Sequence, residues 1–172
     1  MRKILGCYVL LLIAGIASAQ QSATFQDPLL DQFVGKWVLQ GVIDGKATTH
    51  DVDAAWVLGH QYLQFIEVSH EKDAKGRAAY EAIVFIGWDQ PTGQYSCLWL
   101  DNTGGGGLIG QAIAHAKRES DKIALLFKEA DGSLFHTTFA YDKSSDTWQW
   151  TMDGEEHGKL QPFARVKLIR KS

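Results

Sequence analysis

From Trp37 to the C-terminus, apolar and polar residues alternate with a period of two. The pattern is clearest over residues 80–88, where every second residue from Tyr80 to Trp88 is apolar. Such alternation is typical of β-strands, whose successive side chains point to opposite faces. Ile83 and Phe85 make the other face of this segment apolar as well. We therefore expect this strand to be covered on both sides.

Turn-forming sequences such as Asp44-Gly45 and Asp131-Gly132 interrupt the alternation at short intervals. Aspartate–glycine pairs supply the positive φ angles that tight hairpins require. Short connections favour antiparallel strands, and closing such a sheet removes its exposed edges. The pattern therefore predicts an all-β fold, an antiparallel up-and-down barrel of about ten strands. The intervals between turns place the strands at 37–43, 48–57, 60–69, 77–88, 94–102, 109–117, 122–129, 133–141, 146–152 and 159–169.

A short helix is predicted just before the first strand. Asp27 followed by Pro28 has the composition of a helix start, with a capping carboxylate and proline at the first helical position. Apolar residues over 29–34 then form one stripe that ends at Gly35. We expect about two helical turns.

The first residues have the order of a cleavable signal peptide. Arg2 and Lys3 precede an uncharged apolar run over residues 9–16, and small residues follow at 17–19. We therefore divide the chain into a signal peptide (1–19), a flexible N-terminus (20–26) and one barrel domain (27–172). This division predicts a secreted or periplasmic protein.

Charge and cysteine content narrow the classes of partner. Removing residues 1–19 removes two positive charges and no negative one, so the formal charge changes from −3 to −5. This balance argues against nucleic acid as a partner, because its phosphates require basic surface. No other apolar run is long enough for a spanning helix, so we expect no stable membrane insertion after signal cleavage. Cys97 is then the only cysteine, so no internal disulfide is expected, and the oligomeric state stays open.

The segment from Phe33 to Gly41 contains a Gly-x-Trp step after the predicted helix. This resembles the opening of the calycins, which include lipocalins, fatty-acid-binding proteins and nitrobindins. The order of later motifs, at residues 58–63, 87–89 and 99–101, resembles a bacterial lipocalin-like family of unknown function. The resemblance covers most of residues 27–170. It implies the barrel fold but no chemistry.

The resemblance also implies a structural plug at one end of the barrel. In calycins the indole of Gly-x-Trp closes one end, and an arginine from the last strand lies across it. The matching residues are Trp37 and Arg165. A guanidinium over an indole contributes roughly 0.5–2 kcal/mol.

The aromatic residues suggest a binding pocket. Aromatic walls with a few polar tips are typical of small-molecule sites, although the same residues can fill a closed core. The alternation does not establish which face of each strand points inward. We expect five residues to line a pocket: Trp56, Tyr62, Tyr80, Trp88 and Trp99.

Candidate chemistry elsewhere is sparse. The histidines lack the paired spacing of zinc sites, and the densest group is His50 with Asp51 and Asp53. In nitrobindins a late-strand histidine binds haem, which would suggest His136 or His157, but neither lies in a matching motif. We therefore expect neither a metal nor haem, and we assign no catalytic residue. Glu67 with Glu81 could perform acid–base chemistry if buried, and the glycine run at 104–107 could control ligand entry.

The function predicted from sequence is binding of a small apolar or amphipathic molecule inside an exported barrel, without catalysis. One alternative is a packed barrel that acts as a protein-interaction or stress-response module. A second alternative is an isomerase or hydrolase on the same barrel. It would require a buried titratable group with a polar partner.

Overall fold

The computed structural model describes residues 25–103 and 109–172. The strands in these ranges form one closed antiparallel barrel, in which each strand pairs with its neighbours in sequence. The predicted ten-strand fold is therefore confirmed. The predicted signal peptide and the glycine run at 104–107 lie outside the described residues. The strands are β1 (Gly35–Ile43), β2 (Lys46–Val57), β3 (Tyr62–Ser69), β4 (Glu81–Asp89), β5 (Gln94–Asp101), β6 (Ile113–Lys117), β7 (Lys122–Lys128), β8 (Leu134–Asp142), β9 (Thr147–Glu156) and β10 (Lys159–Arg170).

The seam between β1 and β10 closes the barrel. Their register runs from Trp37 opposite Arg170 to Ile43 opposite Ala164. At Gly41, whose φ is +154°, a Cβ would lie 2.2 Å from the carbonyl oxygen of Arg165. Glycine at this position therefore lets the first and last strands approach closely.

The N-terminal helix α1 (Pro28–Asp31) is one turn, shorter than predicted. Asp27 caps it, since its Oδ1 accepts hydrogen bonds from the backbone N–H groups of Leu29 and Leu30. The helix covers the end of the barrel at which β1 begins and β10 ends, called here the helix end. The opposite end, at which β1 ends and β10 begins, is called the distal end.

The helix end is packed with aromatic rings. Phe33 is fully buried and stacks on Trp148 at 3.6 Å between ring centroids. It also meets Phe65 and Phe139 edge-on at 4.9 and 5.3 Å. Burying an aromatic side chain in such contacts contributes several kcal/mol, which explains why a single helical turn holds its place.

The outer face of β4 is not covered, contrary to our expectation. Ile83 is 43% exposed, and it lies opposite Ile66, which is 45% exposed, on β3. The inner residues Ala82, Val84 and Ile86 are buried. The structure has no second layer of described residues outside this strand pair, so apolar residues there stay in contact with solvent.

The plug at the helix end exists, but its arginine is Arg170 and not the predicted Arg165. The Arg170 guanidinium lies over the Trp37 ring at 4.0 Å, and the Trp37 indole donates to the Phe33 carbonyl at 2.6 Å. Gly35 has a φ of +133°, and a Cβ there would lie 2.7 Å from the Arg170 guanidinium. The glycine of Gly-x-Trp therefore makes room for the plug.

Arg165 lies on the outside of the barrel because alternation along β10 directs its side chain to the outer face. Its neighbours Ala164 and Val166 are buried on the inner face, and alternation places Arg165 on the outer face. There it bonds to Asp153 of β9 at 2.5 Å. In the described residues no helix is both long and apolar enough to cross a membrane.

Candidate functional site

Two of the predicted lining residues, Trp56 and Trp88, lie on inner strand faces at the helix end. The Trp56 indole donates to Asp31 of α1 at 2.8 Å. Trp88 stacks with Phe25 at 6.1 Å between centroids, and the Arg118 guanidinium lies 5.5 Å from its ring. Both indoles therefore contact the residues that cover the helix end.

Tyr62 does not face the interior, so its place in the predicted lining is wrong. It is 44% exposed, and the inner positions of β3 belong to Leu63 and Phe65. Its ring lies against Gly87 of β4, where a Cβ would be 2.8 Å from the tyrosine Cδ1. Alternation along β3 places this tyrosine on the outer face, and the absence of a side chain at Gly87 leaves room for its ring.

Tyr80 and Trp99, the remaining predicted lining residues, meet toward the distal end. The Trp99 indole donates to the Tyr80 hydroxyl at 3.1 Å. The Trp99 ring also lies 5.5 Å from the ring of Trp150 on β9. Both residues are partly buried and pack against the core. Two of the five predicted residues thus form one interior group away from the helix.

Sequence reasoning missed the polar pair beside these aromatics. His50 on β2 and Glu67 on β3 are 4% and 3% exposed, and His50 Nδ1 lies 2.5 Å from Glu67 Oε1. The His50 ring stacks on Tyr80 at 5.6 Å between centroids. The β2–β3 register brings the pair together, because Val52 faces Glu67 and His50 faces Ser69.

The pair continues outward through a second hydrogen bond of the histidine. His50 Nε2 lies 2.8 Å from the Thr48 hydroxyl, which also lies 3.1 Å from Glu71 Oε2. The Glu71 side chain is 48% exposed. A chain of four polar side chains therefore connects the buried Glu67 carboxyl with the surface.

Asp101 of β5 completes the group. It follows Trp99 by two residues and lies opposite Ala82, on the inner side of its strand. Its Oδ1 accepts hydrogen bonds from the backbone N–H of Thr103 at 2.8 Å and from the Thr103 hydroxyl at 2.7 Å. We call the following set the distal cluster: Thr48, His50, Glu67, Tyr80, Trp99 and Asp101.

Burial dominates the electrostatics of the distal cluster. It raises the pKa of Glu67, while the hydrogen bond from His50 opposes this shift and the charge of Asp101 adds to it. Burial, and then the charge of Glu67, raises the pKa of the Tyr80 hydroxyl. Tyr80 therefore stays protonated at neutral pH, and Glu67 holds a proton more strongly than an exposed glutamate.

The other carboxylates considered from sequence do not join this group. Glu81 is exposed on the outer side of β4, so it does not pair with Glu67. Asp51 also points outward, where its Oδ1 bonds to Lys171 and pairs with His70. A buried glutamate two residues after Phe65, at an inner strand position, was the available signal. The alternation alone places Glu67 on the inner face, but identifying His50 as its partner requires the β2–β3 register.

The histidines considered for haem lie outside the barrel interior. His136 is on the outer face of β8 and bonds to Glu155 at 2.7 Å. His157 lies in the exposed turn between β9 and β10, with a φ of +51°. Among residues 25–103 and 109–172, no three histidine, cysteine, aspartate or glutamate side chains are grouped as metal ligands. Cys97 is fully buried, and burial raises the pKa of its thiol.

Two concavities of the described surface lie away from the distal cluster. One, of about 440 Å³, lies between the β7–β8 and β9–β10 turns, over residues 131–134 and 155–158. The other, of about 160 Å³, lies against β1, β9 and β10 and includes Gln40 and Arg165. Both are lined largely by polar and charged residues, unlike the distal cluster with its aromatic rings.

The sequence matches no protein-family profile, and it matches no curated protein. Among solved structures, thirteen chains are similar to it. One of them is the crystal structure of Rv2717c from M. tuberculosis, with a TM-score of 0.57 and 17% sequence identity. The match covers 85% of this chain and 99% of that chain. This similarity extends to the barrel fold, which is compatible with ligand binding.

Proposed function

We propose that this protein is an exported, calycin-like barrel that binds a small, partly aromatic molecule at the distal cluster. Tyr80 and Trp99 supply aromatic surface, and the buried polar groups beside them supply orientation. This combination of apolar rings and few polar atoms is typical of small-molecule sites. Because aromatic rings fill the helix end, we assign the proposed site to the distal half.

The observation that carries the proposal is the burial of His50 with Glu67. Removing such ionisable groups from water costs several kcal/mol, and an apolar pair of similar size stabilises a core equally well or better. Packing alone therefore does not account for the pair. Buried titratable groups beside a strongly perturbed neighbour are characteristic of functional sites.

The proposal is tested with the neutral fluorescent probe N-phenyl-1-naphthylamine. Its emission on titration into the protein gives a dissociation constant. We expect Trp99→Leu to weaken binding at least tenfold, because it removes ring surface and the donor to Tyr80. Tyr141→Leu removes a half-buried inner aromatic residue at the helix end and is the matched control. Equal losses in both variants, or no binding by the unmodified protein, would contradict the proposal.

Export is proposed from the order of residues 1–19, which runs from basic to apolar to small side chains. We expect the mature protein to begin at Gln20. Intact-mass measurement of the protein from its own host tests this. A mass that includes residues 1–19 would contradict it.

Proton-transfer catalysis is a second candidate, favoured by the buried Glu67 and its connection to the surface through His50 and Thr48. In that case the Glu67 carboxylate would remove a carbon-bound proton from a bound carbonyl compound and return a proton to it. In D2O this would exchange the substrate's carbon-bound hydrogen for deuterium, which mass spectrometry detects. Glu67→Gln would abolish the exchange while binding persists. Exchange no faster than the uncatalysed rate would rule out this candidate.

A further inference from the structure

The hydrogen-bond directions in the distal cluster fix how many protons the buried pair holds. Burial acts to raise the pKa of Glu71, but hydrogen bonds from backbone N–H groups and from Thr48 outweigh it and lower that pKa. Glu71 is therefore a carboxylate that accepts the single hydroxyl proton of Thr48. Thr48 then accepts the other bond, so His50 Nε2 carries a proton.

It follows that one proton lies between His50 Nδ1 and Glu67 Oε1. If the histidine is neutral, Glu67 is protonated; if the histidine is charged, Glu67 is a carboxylate. In both cases the pair has no net charge. A ligand that meets this pair therefore contacts polar atoms with no net charge, while the charge of Asp101 acts on the same cluster.

Two hydrogen-bond donors near this pair have no acceptor among the described residues. Within the described part of the chain, two buried indole N–H groups have no hydrogen-bond partner: that of Trp150, next to Trp99, and that of Trp148, at the helix end. The Tyr80 hydroxyl accepts the Trp99 indole N–H, and among described residues no acceptor takes its own proton. Trp148 is enclosed by the rings of the helix end, whereas the Tyr80 hydroxyl and the Trp150 indole near the distal cluster are two donors that a ligand acceptor could satisfy.

Positive side chains are absent from the interior that the structure describes. No lysine or arginine in residues 25–103 and 109–172 is buried, and only Lys167 and Arg170 are half-buried. Arg170 lies at the helix end over Trp37. A buried anionic ligand would therefore lack the counter-charge that compensates its desolvation.

We propose that the distal cluster recognises an uncharged, planar molecule through a carbonyl oxygen, as in an aryl ketone, ester or amide. This inference rests on the proposed binding function and names its ligand class. Tyr80 donates to the carbonyl oxygen, and the Trp99 and Trp150 rings cover the planar part. An organic ammonium is disfavoured because it brings only donors and would leave the Tyr80 hydroxyl and the Trp150 indole without an acceptor.

The experiment compares four small probes of similar size in NMR titrations of the full mature protein at pH 7.5. Acetophenone carries the carbonyl, and α-methylstyrene replaces its oxygen with a methylene group of the same shape. Benzoate and benzylammonium carry a negative and a positive charge. We expect acetophenone to bind about fivefold to tenfold more tightly than α-methylstyrene, the usual value of one buried hydrogen bond. Both ions should bind more weakly than acetophenone.

The variant Tyr80→Phe separates recognition from folding. It keeps the ring on His50 and removes the hydroxyl, which also leaves the Trp99 indole N–H without its acceptor. The readout is therefore the ratio of the two affinities, and we expect the preference for acetophenone over α-methylstyrene to disappear. Tighter binding of benzylammonium or benzoate than of acetophenone would overturn the inference. Equal binding of acetophenone and α-methylstyrene by the unmodified protein would overturn it too. In these cases binding of N-phenyl-1-naphthylamine would still support the proposed function, whereas loss of all binding would remove both.

Discussion

Each end of the barrel buries a carboxyl group, and the two groups have different surroundings. At the helix end, Asp27 is fully buried and accepts bonds from two backbone N–H groups of α1, the Tyr95 hydroxyl at 2.6 Å and the Arg118 guanidinium at 2.7 Å. At the distal end, Glu67 is 3% exposed, and its Oε1 lies 2.5 Å from Nδ1 of the buried His50.

Under the proposed function, Asp27 is a structural carboxyl group and Glu67 is a ligand-binding one. The donors around Asp27 come from α1, β5 and the end of β6, so this residue fastens the helix to the barrel. Glu67 instead contacts a residue that relays hydrogen bonds to the surface. We expect substitutions at the helix end to change stability and substitutions in the distal cluster to change binding.

Phe33→Ala should have the largest effect on stability. Phe33 is fully buried against Trp148, Phe65 and Phe139, so its loss leaves a cavity that the rigid barrel cannot collapse. We expect a loss of about 3–5 kcal/mol in the free energy of unfolding. Urea denaturation monitored by tryptophan emission measures it. A loss below 1 kcal/mol would mean that the helix end is not a packed core.

Asp27→Ala should have the next largest effect, about 2–3 kcal/mol, because it removes a helix cap and leaves the buried Tyr95 hydroxyl without its acceptor. Asp31→Ala is the matched control, since within the described residues the Asp31 side chain accepts one hydrogen bond, from the partly exposed Trp56. We expect a loss within about 1 kcal/mol for the control. The same denaturation assay would contradict this prediction if the two losses were equal.

Arg170→Ala should cost about 1–2 kcal/mol because it removes the guanidinium from the Trp37 ring. The variant also loses bonds to Asp146 and to the Val34 carbonyl. Arg165→Ala is the control on the same strand, where a surface pair with Asp153 contributes about 0–1 kcal/mol. Thermal unfolding of both variants compares them. A larger loss for Arg165→Ala would show that the plug is not stabilising.

The smallest effect is expected in the pH dependence of Glu67→Gln. The raised pKa of Glu67 means that the folded protein binds its proton above pH 4.5, where the unfolded chain has begun to release it. Stability from this group therefore falls as pH rises above that value, by at most about 1.4 kcal/mol per pH unit. The variant should lack this component. Denaturation of both proteins across pH 4–8 tests it, and a gap that does not change with pH would contradict it.

The fold was predictable because period-two alternation and hairpin turns report the same ten strands. The alternation also predicts whether a side chain points into the barrel or out of it. Arg165 lies between Ala164 and Val166, two inner apolar residues, so the pattern itself placed it outside. The resemblance to calycins implies instead that Arg165 lies over Trp37, and this prediction is wrong because Arg170 occupies that place. The same alternation places Tyr62 outside, because Leu63 and Phe65 of the same strand occupy the inner face.

The candidate site was harder to predict because it depends on strand register. His50 and Glu67 belong to different strands, and a shift of one residue between them would move one partner to the other face. From sequence alone, the carboxylates grouped with His50 are its neighbours Asp51 and Asp53. Tyr80 and Trp99 were foreseen as aromatic, but their meeting near Trp150 required the closed barrel.

The β1–β10 seam also bears on how the chain reaches its native state. It joins the first strand of the barrel to the last, so the contact of greatest sequence separation is also the one that closes the wall. Loop-closure entropy makes such contacts late and slow to form. Until Arg170 reaches Trp37, β1 and β10 remain unpaired edges, the state of this protein most exposed to aggregation.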